Sequence, residues 1–247
     1  MNPVLIIFRH GQTDYNKQRR FQGQLDIPLN ETGRVQAAHT AGIVAGMINA
    51  FAHSGGQVKE FVSSDLIRAH ETAKIVWQES WLIWEKRLPK LPNINLAAAL
   101  REYSCGVLEG KTAAEYELTQ RDEFKKYIQH YESDPQNACH PGGESRLMMA
   151  NRLSPLIENL SETCKEPYPY ASLSKEMVRG KSDIHVWSCH GGVVDNVVEL
   201  LGGSLPEENR IIGNGDVLLL APVRKKIWTI VRHYRVGDDV AARIVPV

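Results

Sequence analysis

Pro3-Val4-Leu5-Ile6-Ile7-Phe8-Arg9-His10-Gly11 decides how this chain is read. Val4 to Phe8 are five apolar residues in succession, rich in β-branched side chains. An unbroken apolar run of this length reads as a strand buried on both faces, as in the middle of a parallel sheet. It stops abruptly at Arg9-His10-Gly11. Open α/β sheets bind ligands outside the carboxyl ends of their strands, so a cation, an imidazole and a glycine there mark a candidate site. A solvated arginine and a turn glycine at an ordinary strand end explain these residues equally well. The decision rests on what else the chain sends to the same place.

Working outward, Ile184 to Cys189 repeats the pattern: an apolar strand, then His190-Gly191-Gly192, then a helix from Val193 to Leu201. Val58 to Ser63 reads as another strand, with Ser64-Asp65 as caps for a helix from Leu66 to about Trp84. Arg68 falls in the first turn of that helix, where the helix dipole disfavours a cation and free N–H groups favour an anion. Leu96 to Leu100 is apolar and ends at Arg101-Glu102. The remaining stretches fill in an α/β pattern. Asp14 to Asp26 is a polar loop with Lys17, Arg19, Arg20, Gln22 and Gly23, a rim suited to anionic substrates. Asn30 or Thr32 caps a helix running past Ile48 to His53. Thr112 to Tyr131 reads as one charged amphipathic helix with Tyr116, Phe124, Tyr127 and Ile128 available for burial. Pro141-Gly142-Gly143-Glu144-Ser145 is a turn that caps a helix, which Pro155 should kink or interrupt. Lys165 to Ser182 reads as a mobile loop insertion. Val217 to Ala221 and Lys226 to His233 are the last strands. Trp77, Trp81 and Trp84 recur at helical spacing and read as packing.

The chain has 247 residues, 43% hydrophobic and 23% charged, which suits a soluble globular protein with a full core. Without repeats or a linker, it reads as a single domain over residues 1–247. Formal net charge is zero, so no general field draws it to nucleic acid or membrane, and an anion site must be built locally. Cys105, Cys139, Cys164 and Cys189 form no Cys-x-x-Cys pair. With no signal peptide and no long apolar span, reduced thiols and a cytoplasmic location are expected.

Arg9-His10, Arg68, Arg101-Glu102 and His190 all terminate elements, and in a parallel-type sheet such ends converge. Histidines, arginines and a carboxylate meeting there suit phosphoryl transfer. Arginines match phosphate oxygens with a bidentate fork, a neutral imidazole can be the nucleophile, and a carboxylic acid can protonate the departing alkoxide. A two-histidine metal site is the rival, but it usually needs further carboxylates, and two arginines would repel the cation. No metal and no cofactor are expected.

Arg9-His10-Gly11-Gln12-Thr13, Asn16, the run Arg20 to Leu29 and Gly33 closely resemble the signature of the histidine phosphatase superfamily, the phosphoglycerate mutase-like enzymes. Ser63 to Ala69, Leu100-Arg101-Glu102, Pro141 to Ser145 and His190-Gly191-Gly192 resemble its later motifs in order. The resemblance spans roughly residues 4 to 220. It implies a three-layer α/β/α fold with a mostly parallel central sheet, and His10 phosphorylated during turnover. Arg9, Arg68 and His190 would form the phosphate pocket, and Glu102 would be the proton donor. Asn16, Gln22, Gly23 and Gly191 would lie near a small phosphorylated substrate. The Glu102 to Gly110 segment resembles the phosphatase branch, and more weakly the fructose-2,6-bisphosphatase-like members. Glycolytic mutases carry Arg-His-Tyr after that glutamate. Cys189, where a small hydroxyl residue is usual, and the 165–182 insertion depart from the pattern. A mutase and a non-catalytic phospho-ligand binder remain the alternatives to a phosphomonoesterase.

Overall fold

The computed structural model describes residues 2–84, 91–165, 167–168, 181–205, 212–224 and 226–236. Six strands form one sheet: β1 (Asn2–Arg9), β2 (Gln57–Ser63), β3 (Ile94–Leu96), β4 (Ser182–Cys189), β5 (Val217–Arg224) and β6 (Ile227–Tyr234), in the order β3-β2-β4-β1-β5-β6. The β1–β4, β4–β2 and β2–β3 pairings are parallel, and β5 alone runs against its neighbours. The helices are α1 (Asp14–Lys17), α2 (Glu31–His53), α3 (Ile67–Trp84), α4 (Ala113–Thr119), α5 (Arg121–Ser133), α6 (Arg146–Glu162) and α7 (Gly191–Leu200). Among the described residues, no helix is long and apolar enough to cross a membrane.

The first strand shows why the layers form. Successive side chains of a strand point to opposite faces, and Val4 to Phe8 are all fully buried. Val4, Ile6 and Phe8 pack with Ala41, Val44, Ile48, Ala73 and Val76 of α2 and α3. Leu5 and Ile7 pack on the other face with Met149, Leu153, Val193 and Val197 of α6 and α7. At about 1.5–3 kcal/mol per fully buried large apolar side chain, this strand alone holds two helical layers against the sheet. The expected three-layer α/β/α arrangement is what is observed.

Several local expectations are corrected. The 14–26 stretch is not wholly loop: Thr13 and Asn16 form a capping box that closes α1. Asn30, not Thr32, caps α2 by accepting from the Gly33 N–H. Ser64 Oγ accepts from Leu66 N–H, but the Ile67 N–H goes to Asp26, and Asp65 turns instead to Arg101. The single helix expected over 112–131 is two, because Gln120 (φ −141°, ψ 51°) leaves the helical region and ends α4 as it starts α5. Only Tyr116 of the expected apolar set is buried, and Ile128 is exposed. Pro155 does not interrupt α6, which is anchored on both sides of it by buried Leu153 and Ile157. Trp77 and Trp81 stack on each other beside the core, as expected of packing residues.

Most of the expected 165–182 insertion lies outside the described residues. Its described ends are anchored: Ser182 opens β4, and buried Tyr168 donates its backbone N–H to Pro222 and places its hydroxyl 2.8 Å from Ser182 Oγ.

Candidate active site

The register of β1 and β4 builds the site. Arg9 pairs with Cys189 across the two parallel strands, so the next residues, His10 and His190, emerge side by side. Their ring centroids are 5.1 Å apart at 62°. On the far side of β4, Ser63 of β2 pairs with Ser188, and the chain then turns into α3, which carries Arg68. Three strand ends thus converge.

His10 is 2% exposed, and its Nδ1 lies 2.6 Å from the Gly11 carbonyl. A carbonyl only accepts, so Nδ1 holds the proton and Nε2 keeps the lone pair. Burial lowers the His10 pKa well below the usual 6.5, with Arg68 and Arg9 adding to the effect. The ring is therefore neutral at pH 7. His190 is fully buried and is lowered in the same direction by burial, Arg68, His10 and Arg9.

Arg9 donates to the Ile212 carbonyl at 2.5 Å. Its backbone N–H donates to Asp216, while Asn214 donates to the carbonyl of His10 and to Asn16 Oδ1. Arg68 is fully buried, donating to the Leu25 and Gly23 carbonyls at 2.7 Å each. Burial brings its pKa down to about 10. Gly23 has φ +51°, and a Cβ there would lie 2.1 Å from Glu109 Oε1, so only glycine closes this loop beneath Arg68.

Glu102 does not leave a strand directly. A 3-10 turn over Ala98–Leu100 intervenes, and Arg152 of α6 donates to the carbonyls of Ala99, Arg101 and Glu102. The same guanidinium pairs with Glu144, which accepts from Ser104 N–H and Gln24. The Glu102 carboxylate accepts from Tyr103 N–H and Gly192 N–H. A Cβ on Gly192 would fall 2.5 Å from Glu102 Oε1, so this close approach requires glycine.

These side chains surround a cavity of about 260 Å³, lined by Arg9, His10, Asn16, Arg20, Phe21, Gln22, Gly23, Arg68, Glu102, Tyr103, Cys105 and Gly192. Of the residues expected near a substrate, Asn16, Gln22 and Gly23 line it. Gly191 does not; its neighbour Gly192 does. His190 is fully buried with its ring against that of His10, which does line the cavity. Arg101 turns away to pair with Asp65 in a two-point bridge.

Phe21, Tyr103, Cys105 and Gly192 line the cavity although the sequence reading gave them no site role, and Arg20, expected on the rim, lines it too. The rim expected to attract anions is partly neutralised, because Arg20 is held by Glu115 at 2.6 Å. The Tyr103 hydroxyl accepts from the Asn196 amide, and burial pushes its pKa up to about 12. Burial does the same to the Cys105 thiol, also to about 12. Both line the cavity as neutral walls. Among the described residues, no three of histidine, cysteine, aspartate or glutamate gather as metal ligands would.

The chain is 34% identical over 156 residues to the glucosyl-3-phosphoglycerate phosphatase of Mycobacterium tuberculosis (strain CDC 1551 / Oshkosh), a match covering 63% of this chain and 59% of that relative's length. It is 26% identical over 213 residues to the 2,3-bisphosphoglycerate-dependent phosphoglycerate mutase of Lachnoclostridium phytofermentans, covering 83% of this chain and 79% of the relative. Among solved structures, mycobacterial glucosyl-3-phosphoglycerate phosphatase complexed with VO3 superimposes with a TM-score of 0.65 at 28% identity, over 94% of this chain and 99% of that one. Residues 5–168 match the family model of the histidine phosphatase superfamily, branch 1. Because that match spans well over half of the chain and begins on the strand that carries His10, the chain belongs to the histidine phosphatase superfamily.

Proposed function

We propose that this chain is a metal-independent phosphomonoesterase that hydrolyses a small phosphorylated metabolite through a phosphohistidine at His10. One observation carries the reading: a neutral imidazole, its proton fixed on Nδ1 by Gly11, sits at a strand end near buried Arg68, half-buried Arg9 and a carboxylate. His10 Nε2 attacks phosphorus as the P–O bond to the alcohol breaks. Glu102 gives its proton to the departing alkoxide. Water then attacks the phosphohistidine, giving its proton to Glu102, and His10 is restored as phosphate leaves. Arg9 and Arg68 stabilise the phosphoryl charge in both steps, the part a metal ion plays elsewhere. Asn16, Gln22 and Gly23 contact the substrate. The same reading takes the chain as one catalytic domain of a reducing, cytoplasmic compartment, which its four free thiols support.

A phosphoglycerate mutase reading is favoured by a separate observation, the broader coverage of the mutase relative. The non-catalytic binder is disfavoured because recognition needs neither a nucleophile nor an acid. Phosphate release from a substrate panel that includes glucosyl-3-phosphoglycerate, and conversion of 3- to 2-phosphoglycerate, are to be measured side by side. Phosphate release with label trapped on wild type but absent from His10→Ala is the expected result. Label persisting in that variant, or a rate lost to EDTA and restored by a divalent ion, would overturn it. Isomerisation without net phosphate release would establish the mutase.

A further inference from the structure

The buried polar atoms around His190 fall short of complete pairing in one place. His190 Nε2 lies 2.9 Å from Ser64 Oγ, while Nδ1 is buried and has no hydrogen-bond partner in the protein. Buried ring nitrogens are normally paired, so an orphan in a ligand site marks a group waiting for a partner. Which kind of partner depends on the tautomer. The neutral ring carries one N–H and one lone pair, and burial keeps His190 neutral.

Ser64 decides between the two. Its side chain is fully buried, and its oxygen accepts the Leu66 N–H at 3.3 Å at the start of α3. Its backbone is also committed: the N–H donates to Ser188, and the carbonyl accepts from Ser63 Oγ. A hydroxyl has one proton to give. The acceptor within reach of Ser64 Oγ is His190 Nε2. With the hydroxyl donating there, Nε2 holds the lone pair and Nδ1 must hold the proton. The opposite tautomer would leave the hydroxyl proton unpaired in a buried site, and would leave Nδ1 as a bare lone pair with nothing to donate.

We propose that Ser64 is a positioning residue that fixes His190 in the Nδ1–H tautomer, so that the ring presents an N–H donor to the phosphoryl group transferred to His10. The proposal rests on the phosphoryl-transfer reading above. It accounts for a ring with an unpaired nitrogen standing next to the nucleophile, at 5.1 Å between ring centroids. It also gives Ser64 a task beyond capping. The β2–β4 pairing of Ser63 with Ser188 brings the hydroxyl to the ring, so the sheet register itself sets the tautomer.

The test reads the ring directly. Enzyme labelled with ¹⁵N-histidine, at pH 8 and without ligand, is observed by long-range ¹H–¹⁵N correlation, with His190 assigned through its loss in His190→Gln. Wild type should show a protonated Nδ1 and an unprotonated Nε2 for His190. Ser64→Ala should mix or reverse that pattern, weaken inhibition by inorganic phosphate, and lower kcat/KM by about 10- to 100-fold. That is at or below the ~10²–10³-fold cost of deleting a transition-state donor outright. Ser64→Thr, which keeps the hydroxyl, should restore both the spectrum and phosphate affinity; the altered tautomer in Ser64→Ala is the readout that loss of the helix cap alone would not move. An Nε2–H tautomer in wild type overturns the proposal, and that spectrum decides even if Ser64→Ala does not fold. An unchanged tautomer and phosphate inhibition constant in Ser64→Ala also overturn it. If the tautomer and phosphate affinity respond as expected but no phosphomonoester is hydrolysed, the proposal stands and the assigned activity falls.

Discussion

Replacing Arg68 with methionine should separate activity from stability, because opposing contributions nearly cancel in stability and do not in catalysis. The guanidinium is fully buried, and among the described residues no carboxylate lies within ion-pair distance. Its pKa is brought down to about 10, chiefly by burial, from an ordinary value above 12. At about 1.4 kcal/mol per tenfold, holding that charge in the fold costs about 3 kcal/mol. Against this stand two hydrogen bonds, to Leu25 and Gly23. Each carbonyl left without its donor costs about 1–3 kcal/mol. Methionine keeps the volume and removes the charge, so Arg68→Met should be destabilised by only about 1 kcal/mol. Catalysis has no such compensation: kcat/KM should fall at least ~10²-fold, the scale of a lost transition-state donor. Inorganic phosphate should stabilise wild type, since ligand binding to the native state raises stability, and should do so much less in the variant. Urea unfolding with and without phosphate, beside steady-state hydrolysis, checks all three. Activity retained within tenfold would refute the reasoning, as would a stability loss above about 4 kcal/mol, which would make Arg68 a structural residue.

Glu102→Gln should slow hydrolysis of sugar or glycerate phosphates by ~10²–10⁴-fold, the range of general acid help, and that of nitrophenyl phosphate far less, since this leaving group departs without a proton. Equal losses on both substrates would mean that Glu102 orients the pocket instead. Arg152→Met removes the donors that hold the carbonyls of Ala99, Arg101 and Glu102. It should reproduce a milder form of the same leaving-group contrast, about tenfold, and a uniform loss across leaving groups would dismiss that role. The histidine environments give a signed pH dependence. In the unfolded chain His10 and His190 take protons near 6.5, whereas in the fold both do so only well below that value. Stability from keeping them neutral is therefore fully present above pH 6.5 and is lost as pH falls. The slope is about 1.4 kcal/mol per pH unit for each ring until the folded-state values are reached. Urea midpoints measured from pH 8 to 5 should show this decline, and a His10→Gln, His190→Gln pair should flatten it.

What the sequence determined by itself is what local pattern can carry. Val4 to Phe8, without a polar residue for five positions, could only be a strand covered on both sides, and that predicts helices on both faces. The strand-then-His-Gly pattern at Arg9-His10-Gly11 and at Cys189-His190-Gly191 placed both imidazoles at strand ends. Asn30, Ser145 and the turn before it announced their helices. Tertiary structure decided everything that depends on one segment meeting another. The break at Gln120, which no glycine or proline marks, splits the expected helix. Arg20 reads as a free cation until Glu115 of α4 is brought to it. Gly191 and Gly192 are indistinguishable as a pair of letters, and only the approach of Glu102 selects Gly192 as the one that must lack a side chain. Arg152 and Ser64 look like an ordinary helix residue and an ordinary cap. Their partners stand 50 and 126 positions away along the chain. Periodicity and capping report on neighbours within a few residues, whereas His10 meets His190 because β1 and β4 pair in parallel register. That pairing is a choice among whole-chain packings, made by the burial of two sheet faces at once.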